Sequence, residues 1–212
     1  MPKLYLRLIL FLLISANVFF VSSCSSAISL KTDENGYLAD EENDRTYIDC
    51  SLSLRAKSIS DAVYAKGSGD DKINLHEVTE QSPSHWLSEN ISTVAIPFIF
   101  REASAVPDEP TIEDFADVIH VTQTEVATMQ ISVIDDKAIV LKYIDEFLTN
   151  EDAILPSHDN FDYNYTLRFE GEKYPGIQYL LQYYVDNTGK RYLYDRGIKR
   201  CVILSDDLDR IK

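Results

Sequence analysis

The chain has 212 residues, of which 45 % are hydrophobic and 26 % are charged, and these proportions exclude an intrinsically disordered protein. A chain of this length builds one ordinary domain with a hydrophobic core, or at most two very small ones. The formal net charge of −15 at pH 7 argues against nucleic acid as a partner, because phosphodiester chains and bare anionic headgroups repel an acidic body. The alternative meaning of this charge is simply a solvated surface that keeps the protein soluble.

The amino-terminal segment gives the clearest signal in the chain. Lys3 and Arg7 form a basic start, residues 8–21 are almost wholly apolar, and two serines follow. This order of basic, apolar and small residues is the pattern of a secretory signal peptide. An uncleaved signal anchor is the alternative, because residues 4–21 counted together are nearly long enough to span a bilayer.

The end of this segment, Val21-Ser22-Ser23-Cys24, resembles the lipobox of bacterial lipoprotein precursors, in which an aliphatic residue and two small ones precede a cysteine. The resemblance covers only the leader. It implies that the thiol of Cys24 receives a diacylglyceryl group and that residues 1–23, the lipoprotein signal peptide, are then removed. Each buried methylene contributes about 0.8 kcal/mol, so two or three acyl chains would hold the protein on the extracytoplasmic face of the cell membrane. A cleaved leader with a coincidental cysteine is the other interpretation.

Residues 24–45 are expected to form an acidic, flexible tether between the lipid anchor and a folded domain at residues 46–212. The segment begins with small residues and continues with two polar runs, at 32–36 and 40–44, which contain few side chains that a core would bury. The predicted role of this tether is to lift the domain off the membrane.

Hydrophobic periodicity predicts two helices and a strand between them. The shorter helix covers residues 112–119 with Thr111 as its N-cap, and the longer one runs from a cap at Asp135-Asp136 to about Thr149. The longer helix would bury a stripe formed by Val140, Leu141, Ile144, Phe147 and Leu148. Residues 126–133 alternate as a half-buried strand, whose inward face would carry Ala127, Met129, Ile131 and Val133.

From residue 161 onwards the pattern is that of strands alone. Alternation over 161–170 and 177–185, a turn at 186–189, and two shorter runs at 190–194 and 200–204 predict an antiparallel β-meander. A run of strands accompanied by few helices, without βαβ repetition, indicates the α+β class. The predicted fold is therefore a single small α+β domain, with an antiparallel sheet, a C-terminal meander and one or two packed helices.

Export to an oxidising compartment changes the interpretation of the two remaining cysteines. Cys50 lies on the apolar face of a strand predicted at residues 46–54, and Cys201 lies in the last predicted strand. Two thiols with no third to compete favour a Cys50–Cys201 disulfide. Two buried free thiols are the alternative.

No motif in the sequence nominates a catalytic residue, a metal ligand or a cofactor. The histidines do not have the close spacing of a zinc site, and the acidic stretches lack the alternating ligands of an EF-hand. Serine-nucleophile and phosphate-loop motifs are also missing. A carboxylate-only mechanism leaves no such trace, and 35 acidic residues make any choice among them arbitrary. The histidines are His76, His85, His120 and His158.

Tyrosines are concentrated in the last quarter of the chain. A row of them on an exposed sheet face would stack on sugar rings or contact a partner protein, because tyrosine offers apolar area with a polar tip. The alternative is that tyrosine, which is favoured in strands, fills half-buried sheet positions. The candidate binding residues are Tyr163, Tyr165, Tyr183, Tyr192 and Tyr194.

These observations together predict an extracytoplasmic lipoprotein whose non-catalytic domain binds a protein or glycan partner. The membrane is contacted through the lipid anchor, no cofactor is expected, and nucleic acid is not a partner. The alternatives are a small cell-envelope hydrolase that uses carboxylates and an accessory solute-binding lipoprotein. The missing nucleophile and metal motifs favour binding over hydrolysis.

Overall fold

The computed structural model of the protein describes residues 27–68, 73–90, 97–124, 128–157 and 160–205. The predicted signal peptide, the predicted lipidation site Cys24 and His158 lie outside the described residues. Within the described ranges, 50 % of the residues are in strands and 11 % are helical, with a single α-helix.

The first half of the chain closes into a seven-stranded barrel. Its strands are β1 (Ile28–Thr32), β2 (Leu38–Asp40), β3 (Arg45–Asp49), β5 (Ile59–Ser68), β6 (Asn74–Val78), β7 (Trp86–Glu89) and β8 (Ile99–Glu102). They follow one another around the barrel in the order β1-β2-β3-β8-β7-β6-β5. All neighbours are antiparallel except β1 and β5, whose parallel pairing closes the barrel. The interior is filled by Leu30, Leu38, Tyr47, Ala65, Leu75, Leu87 and Phe100.

The second half of the chain forms an open antiparallel sheet. Its strands are β4 (Leu54–Ala56), β9 (Val118–Thr124), β10 (Thr128–Ile134), β11 (Phe161–Glu170), β12 (Ile177–Asp186), β13 (Arg191–Asp195) and β14 (Arg200–Ile203). The order is β10-β9-β11-β12-β13-β14, and the short strand β4 pairs with the beginning of β12. Strands β11 to β14 are consecutive neighbours, so the predicted C-terminal meander is confirmed.

The single α-helix, α1 (Lys137–Thr149), covers one face of this sheet. The carboxylate of Asp136 accepts a hydrogen bond from the backbone N–H of Ala138 at 2.9 Å, which caps the helix as the sequence predicted. Val140, Ile144 and Phe147 are buried as expected, whereas Leu141 and Leu148 of the predicted stripe are exposed. The helix therefore has a narrower apolar face than its sequence suggested.

One hydrophobic core joins the barrel to the sheet and the helix. Trp86 and Ile99 on the outer surface of the barrel belong to the same buried cluster as Phe147 of α1 and Leu167 of β11. The rings of Trp86 and Tyr174 meet edge to face, with centroids 5.9 Å apart. The helix and the barrel thus lie on the same side of the second sheet, and the opposite side, here called the outer face, carries mostly polar side chains.

The predicted α+β class is wrong, because the chain is mostly β with a closed barrel and a second sheet. The helix expected at 112–119 is only a 3-10 helix, Ile112–Phe115, after which the chain enters β9. The backbone N–H of Asp117 donates to the carbonyl of Glu170 at 2.9 Å, and this bond draws the chain into the sheet before a second helical turn forms.

The flexible tether predicted at residues 24–45 is also wrong over its described part, because β1 and β2 both lie within it. Leu30 is 0 % exposed and Leu38 is buried beside it in the barrel. Asp40 is buried as well, and its carboxylate accepts a hydrogen bond from the side-chain amide of Asn43 at 2.8 Å. The polar runs are therefore turns between short strands.

The inward face predicted for residues 126–133 is wrong in the described part of that strand. Met129, Ile131 and Val133 are 58 %, 38 % and 44 % exposed. Strand β10 is the last strand of the sheet on its side, and a register shift between Gln130 and Ser132 interrupts the alternation of its side chains. An edge position and a bulge explain why the apolar residues of this strand are not covered.

Candidate functional site

The five candidate tyrosines are divided between the two faces of the second sheet. Tyr165 pairs with Tyr183 across β11 and β12, and its ring stacks on that of Tyr163 at a centroid distance of 6.1 Å. Tyr183 is buried in the main core, and only Tyr163 of these three is largely exposed. Their side of the sheet is the one that faces the core.

Tyr192 and Tyr194 lie on the outer face, in or against a small cluster with Tyr184 and Cys201. The hydroxyl of Tyr192 donates to Asp186 at 2.9 Å. Burial, together with this hydrogen bond, raises the pKa of Tyr192 to about 12. The structure therefore does not bring the five tyrosines together into one binding surface, and Tyr192 stabilises the β12–β13 hairpin.

The predicted Cys50–Cys201 disulfide is absent, and both residues are buried free thiols. Cys50 belongs to the main core at the end of β3, whereas Cys201 belongs to the small cluster on the outer face of the second sheet. The two side chains are separated because Val202, not Cys201, points from β14 into the main core. Burial raises the pKa of each thiol to about 11.

The described histidines contact different parts of the fold. His76 is buried, with its Nδ1 atom 2.9 Å from the carbonyl oxygen of Ser60, and His85 is half-buried at the start of the β7 region. His120 lies on the outer face between Gln130 and Glu170. Among the described residues, no group of three or more His, Cys, Asp or Glu side chains has the geometry to hold a metal ion.

Glu170 is the centre of a polar network on the outer face. Its carboxylate accepts hydrogen bonds from Lys57 Nζ and Gln178 Nε2, each at 2.7 Å, and lies 3.2 Å from His120 Nε2. Burial alone would raise the pKa of Glu170, but the hydrogen bonds from Lys57 and Gln178 and the charge of His120 outweigh it and lower the pKa. The negative charge of Glu170 is therefore already satisfied within the protein.

Two arginines on the same face lack such a network. Arg55 of β4 is opposite Gln178 of β12, and Arg168 of β11 is opposite both Leu180 of β12 and His120 of β9. Because residues opposite one another on neighbouring strands point to the same side, Arg55 and Arg168 both lie on the outer face. They are separated by strand β12 and are offset along it, because Gln178 and Leu180 are two residues apart. We call these two residues the arginine pair.

Both members of the arginine pair are half-buried, and within the described part of the chain neither makes a hydrogen bond or an ion pair. The Nε atom of Arg168 is fully buried without a hydrogen-bond partner. Burial lowers the pKa of Arg168 to about 10, with the charge of Arg55 contributing, and burial also lowers the pKa of Arg55. Partly desolvated charges of the same sign are costly unless an opposite charge accompanies them.

The surroundings of the arginine pair offer hydrogen-bonding groups but no spare carboxylate among the described residues. Gln182 is buried on β12, two residues beyond Leu180, and its side-chain oxygen is 3.4 Å from the hydroxyl of Thr166. Gln178 uses its amide group to hold Glu170. The arrangement is therefore a half-buried, positively charged site on an otherwise acidic protein.

Sequence reasoning missed this site. The alternation of β11 places Arg168 on the polar side of its strand, and a single arginine in such a position resembles any solvated strand residue. Only the pairing of β4 with β12 brings Arg55 to the same face, and nothing in the local sequence around Arg55 indicates that pairing.

Comparison of the chain with protein-family models, with curated proteins and with solved structures finds no match.

Proposed function

We propose that the protein is a bacterial lipoprotein, held on the extracytoplasmic face of the cell membrane by acyl chains on Cys24, and that its β domain binds a ligand and catalyses no reaction. The observation that carries the binding role is the arginine pair, two half-buried like charges that lack an opposite charge among the described residues. Charges kept in such an environment at a cost in stability are typical of sites selected for function.

The resemblance of Val21–Cys24 to a lipobox supports the anchor. The position of the first barrel strand is compatible with a barrel held close to the membrane. Strand β1 begins at Ile28, four residues after Cys24, and four fully extended residues span at most roughly 14 Å. Among the described helices, none has the length and apolar character needed to span a bilayer. The proposed attachment to the membrane is the acyl chains on Cys24, and this proposal rests on the resemblance of residues 21–24 to a lipobox.

Among the described residues, the group that most resembles a catalytic arrangement is centred on Asp195. Its burial favours binding over hydrolysis. Asp195 is fully buried and accepts hydrogen bonds from Ser53 Oγ at 2.8 Å, from the hydroxyl of Tyr179 and from the backbone N–H of Gly197 at 2.7 Å. Ser53 and Tyr179 are buried too, and no histidine contacts this group within the described chain. These contacts fix the β13–β14 turn against the core, and substrate would not reach them.

Metabolic labelling with a fatty-acid analogue tests the anchor. We expect label on the wild-type protein and on Cys201→Ala, and none on Cys24→Ala, because only Cys24 follows an aliphatic and two small residues. Equal labelling of Cys24→Ala and wild type would contradict the lipoprotein assignment.

The binding role predicts that the arginine pair destabilises the free protein. Arg168→Met keeps the length of the side chain and removes its charge, so the free energy of unfolding should rise by about 1 kcal/mol, a modest figure because the side chain is half-buried. Urea denaturation of the full chain measures the change, with the exposed Arg196→Met as the matched control. A loss of stability in Arg168→Met, with Arg196→Met unchanged, would indicate that Arg168 is a structural residue.

A further inference from the structure

We infer that Arg55 and Arg168 together bind a single oxyanion, a carboxylate or a phosphate-type group on the ligand. This inference rests on the binding role proposed above and adds the chemical class of the group that is bound.

The sheet register places the two arginines on the same face, on either side of β12 and offset by two residues along it. Neighbouring strands are about 4.8 Å apart and each residue rises about 3.4 Å along a strand, so the Cα atoms of Arg55 and Arg168 are roughly 12 Å apart. Both side chains are long enough to extend over β12, on which Leu180 is half-buried. The charge of Arg55 also contributes to the lowered pKa of Arg168, as expected for two cations on the same short stretch of sheet.

The donors of the arginine pair are available to a ligand. A guanidinium group carries five N–H donors in a planar fork, which matches the two oxygens of a carboxylate or two oxygens of a phosphate. Both arginines are half-buried, so they retain contact with solvent and are open to a small anion. The Nε of Arg168 is buried, so an anion would be bound through the other guanidinium nitrogens of Arg168, which are not buried.

The described part of the protein does not supply this anion itself. Glu170 is the carboxylate of the outer face that lies nearest along β11, and Lys57, Gln178 and His120 already surround it. Thr166 and Gln182 contact each other beside the arginine pair. A ligand oxyanion would therefore complete the site without breaking any of these contacts.

The charge of the chain limits the kind of ligand. With 35 acidic and 20 basic residues, the protein repels polyanions over most of its surface, and the arginine pair is a local exception. A compact ligand with one oxyanion satisfies both guanidinium groups while avoiding this repulsion. A cationic or purely apolar ligand would leave both charges unpaired.

Isothermal titration calorimetry on full-length protein in a non-ionic detergent tests the inference, at low ionic strength and pH 7. Inorganic phosphate, sulfate and acetate are the probes, sodium chloride is the control for general ionic effects, and the difference between phosphate and acetate separates the two oxyanion classes. We expect saturable binding of at least one probe, weakened roughly tenfold or more in Arg55→Gln and in Arg168→Gln, and changed less than about twofold in Arg196→Gln.

Arg168→Lys is a second variant that keeps the charge and the fold but loses the planar fork, so binding should weaken there as well. Circular dichroism shows whether each variant is folded, and Arg55→Gln decides the matter if the Arg168 variants do not fold. Absence of saturable binding by every probe, or binding that the arginine substitutions do not weaken, would overturn the inference. If no probe binds but Arg168→Met is more stable than wild type, the proposed binding role is retained. In that case only the inference that the bound group is an oxyanion is rejected.

Discussion

Two charged residues of the protein differ in their hydrogen bonds. Glu102 is buried at the end of barrel strand β8, and Arg168 is half-buried on the outer face of the second sheet. The carboxylate of Glu102 accepts hydrogen bonds from the hydroxyl of Ser104 at 2.8 Å and from the backbone N–H of Ala105 at 2.6 Å. Burial alone would raise its pKa, but these hydrogen bonds outweigh burial and lower the pKa. Arg168 has no comparable contacts in the described chain.

Two further barrel charges also have hydrogen-bond partners, although the Nε atom of Arg101 in β8 is buried without one. Arg45 donates to the hydroxyl of Tyr64 at 2.9 Å and to that of Ser84 at 2.6 Å, and Asp40 is bonded to Asn43. These contacts are made by loops and strands of the barrel itself. The comparison teaches that the barrel holds Glu102, Arg45 and Asp40 by contacts of its own, whereas the arginine pair on the outer face has no such contacts among the described residues.

The largest effect is expected from the barrel interior. Leu30→Ala should lower the free energy of unfolding by about 3 kcal/mol, because Leu30 is 0 % exposed and its truncation leaves a cavity. Leu52→Ala is the matched control, since Leu52 is 60 % exposed and should change stability by less than about 0.5 kcal/mol. Urea denaturation measures both. Equal, small effects would mean that β1 does not belong to the cooperative fold and that residues 24–45 are a tether after all.

A smaller effect, opposite in sign to that of Arg168→Met, is expected at Glu102. Glu102→Ala leaves the backbone N–H groups of Ser104 and Ala105 without their acceptor, so stability should fall by about 2 kcal/mol. The exposed Glu42→Ala is the control from the same half of the chain. A rise in stability in Glu102→Ala would remove the contrast between the barrel and the outer face.

The smallest expected effect is a change in stability that appears only at acidic pH. It originates in the turn between β12 and β13. Hydrogen bonds, above all from the hydroxyl of Thr188 at 2.6 Å, lower the pKa of Asp186 to about 2. The pKa of an aspartate in the unfolded chain is about 3.9, so the stabilising contribution of Asp186 is complete above about pH 4 and is lost as the pH falls towards 2. Denaturation midpoints between pH 5 and pH 2.5 should therefore fall less steeply in Asp186→Asn than in wild type. Asp162→Asn, at an exposed position, should follow the wild type, and identical slopes for all three proteins would refute this assignment.

Local signals were enough to predict the parts of the fold that depend on neighbours in sequence. Helix α1 followed from the 3.6-residue spacing of Val140, Ile144 and Phe147 and from the cap at Asp136. The meander followed from alternation in β11 and β12 and from the turn at Asp186, where Gly189 adopts a φ of 84° that suits glycine. In each case the residues that determine the element lie within a few positions of one another.

The barrel and the arginine pair depend on contacts between distant segments, and no local pattern reveals them. Strand β2 has three residues and strand β1 has five, and each contributes one buried leucine to the barrel, which is too little to show periodicity. The parallel pairing of β1 with β5 closes the barrel across the intervening strands. The arginine pair requires the register of β4, β12 and β11 together, and each arginine alone is an ordinary strand residue.

The short distance between Cys24 and β1 also has a consequence for orientation. The loop between β2 and β3 lies at the same end of the barrel as Ile28, and its exposed residues include Glu41, Glu42 and Asp44. Glu41 is paired with Lys31 at 2.6 Å, whereas Glu42 and Asp44 are exposed. If Cys24 carries lipid, the carboxylates of Glu42 and Asp44 lie close to the headgroups, and anionic lipids would repel this end of the barrel from direct contact with the bilayer. The domain would nevertheless stay close to the bilayer, because Ile28 lies only four residues after Cys24. Its search for a ligand would be a diffusion in two dimensions, limited to molecules that come within a few nanometres of the bilayer.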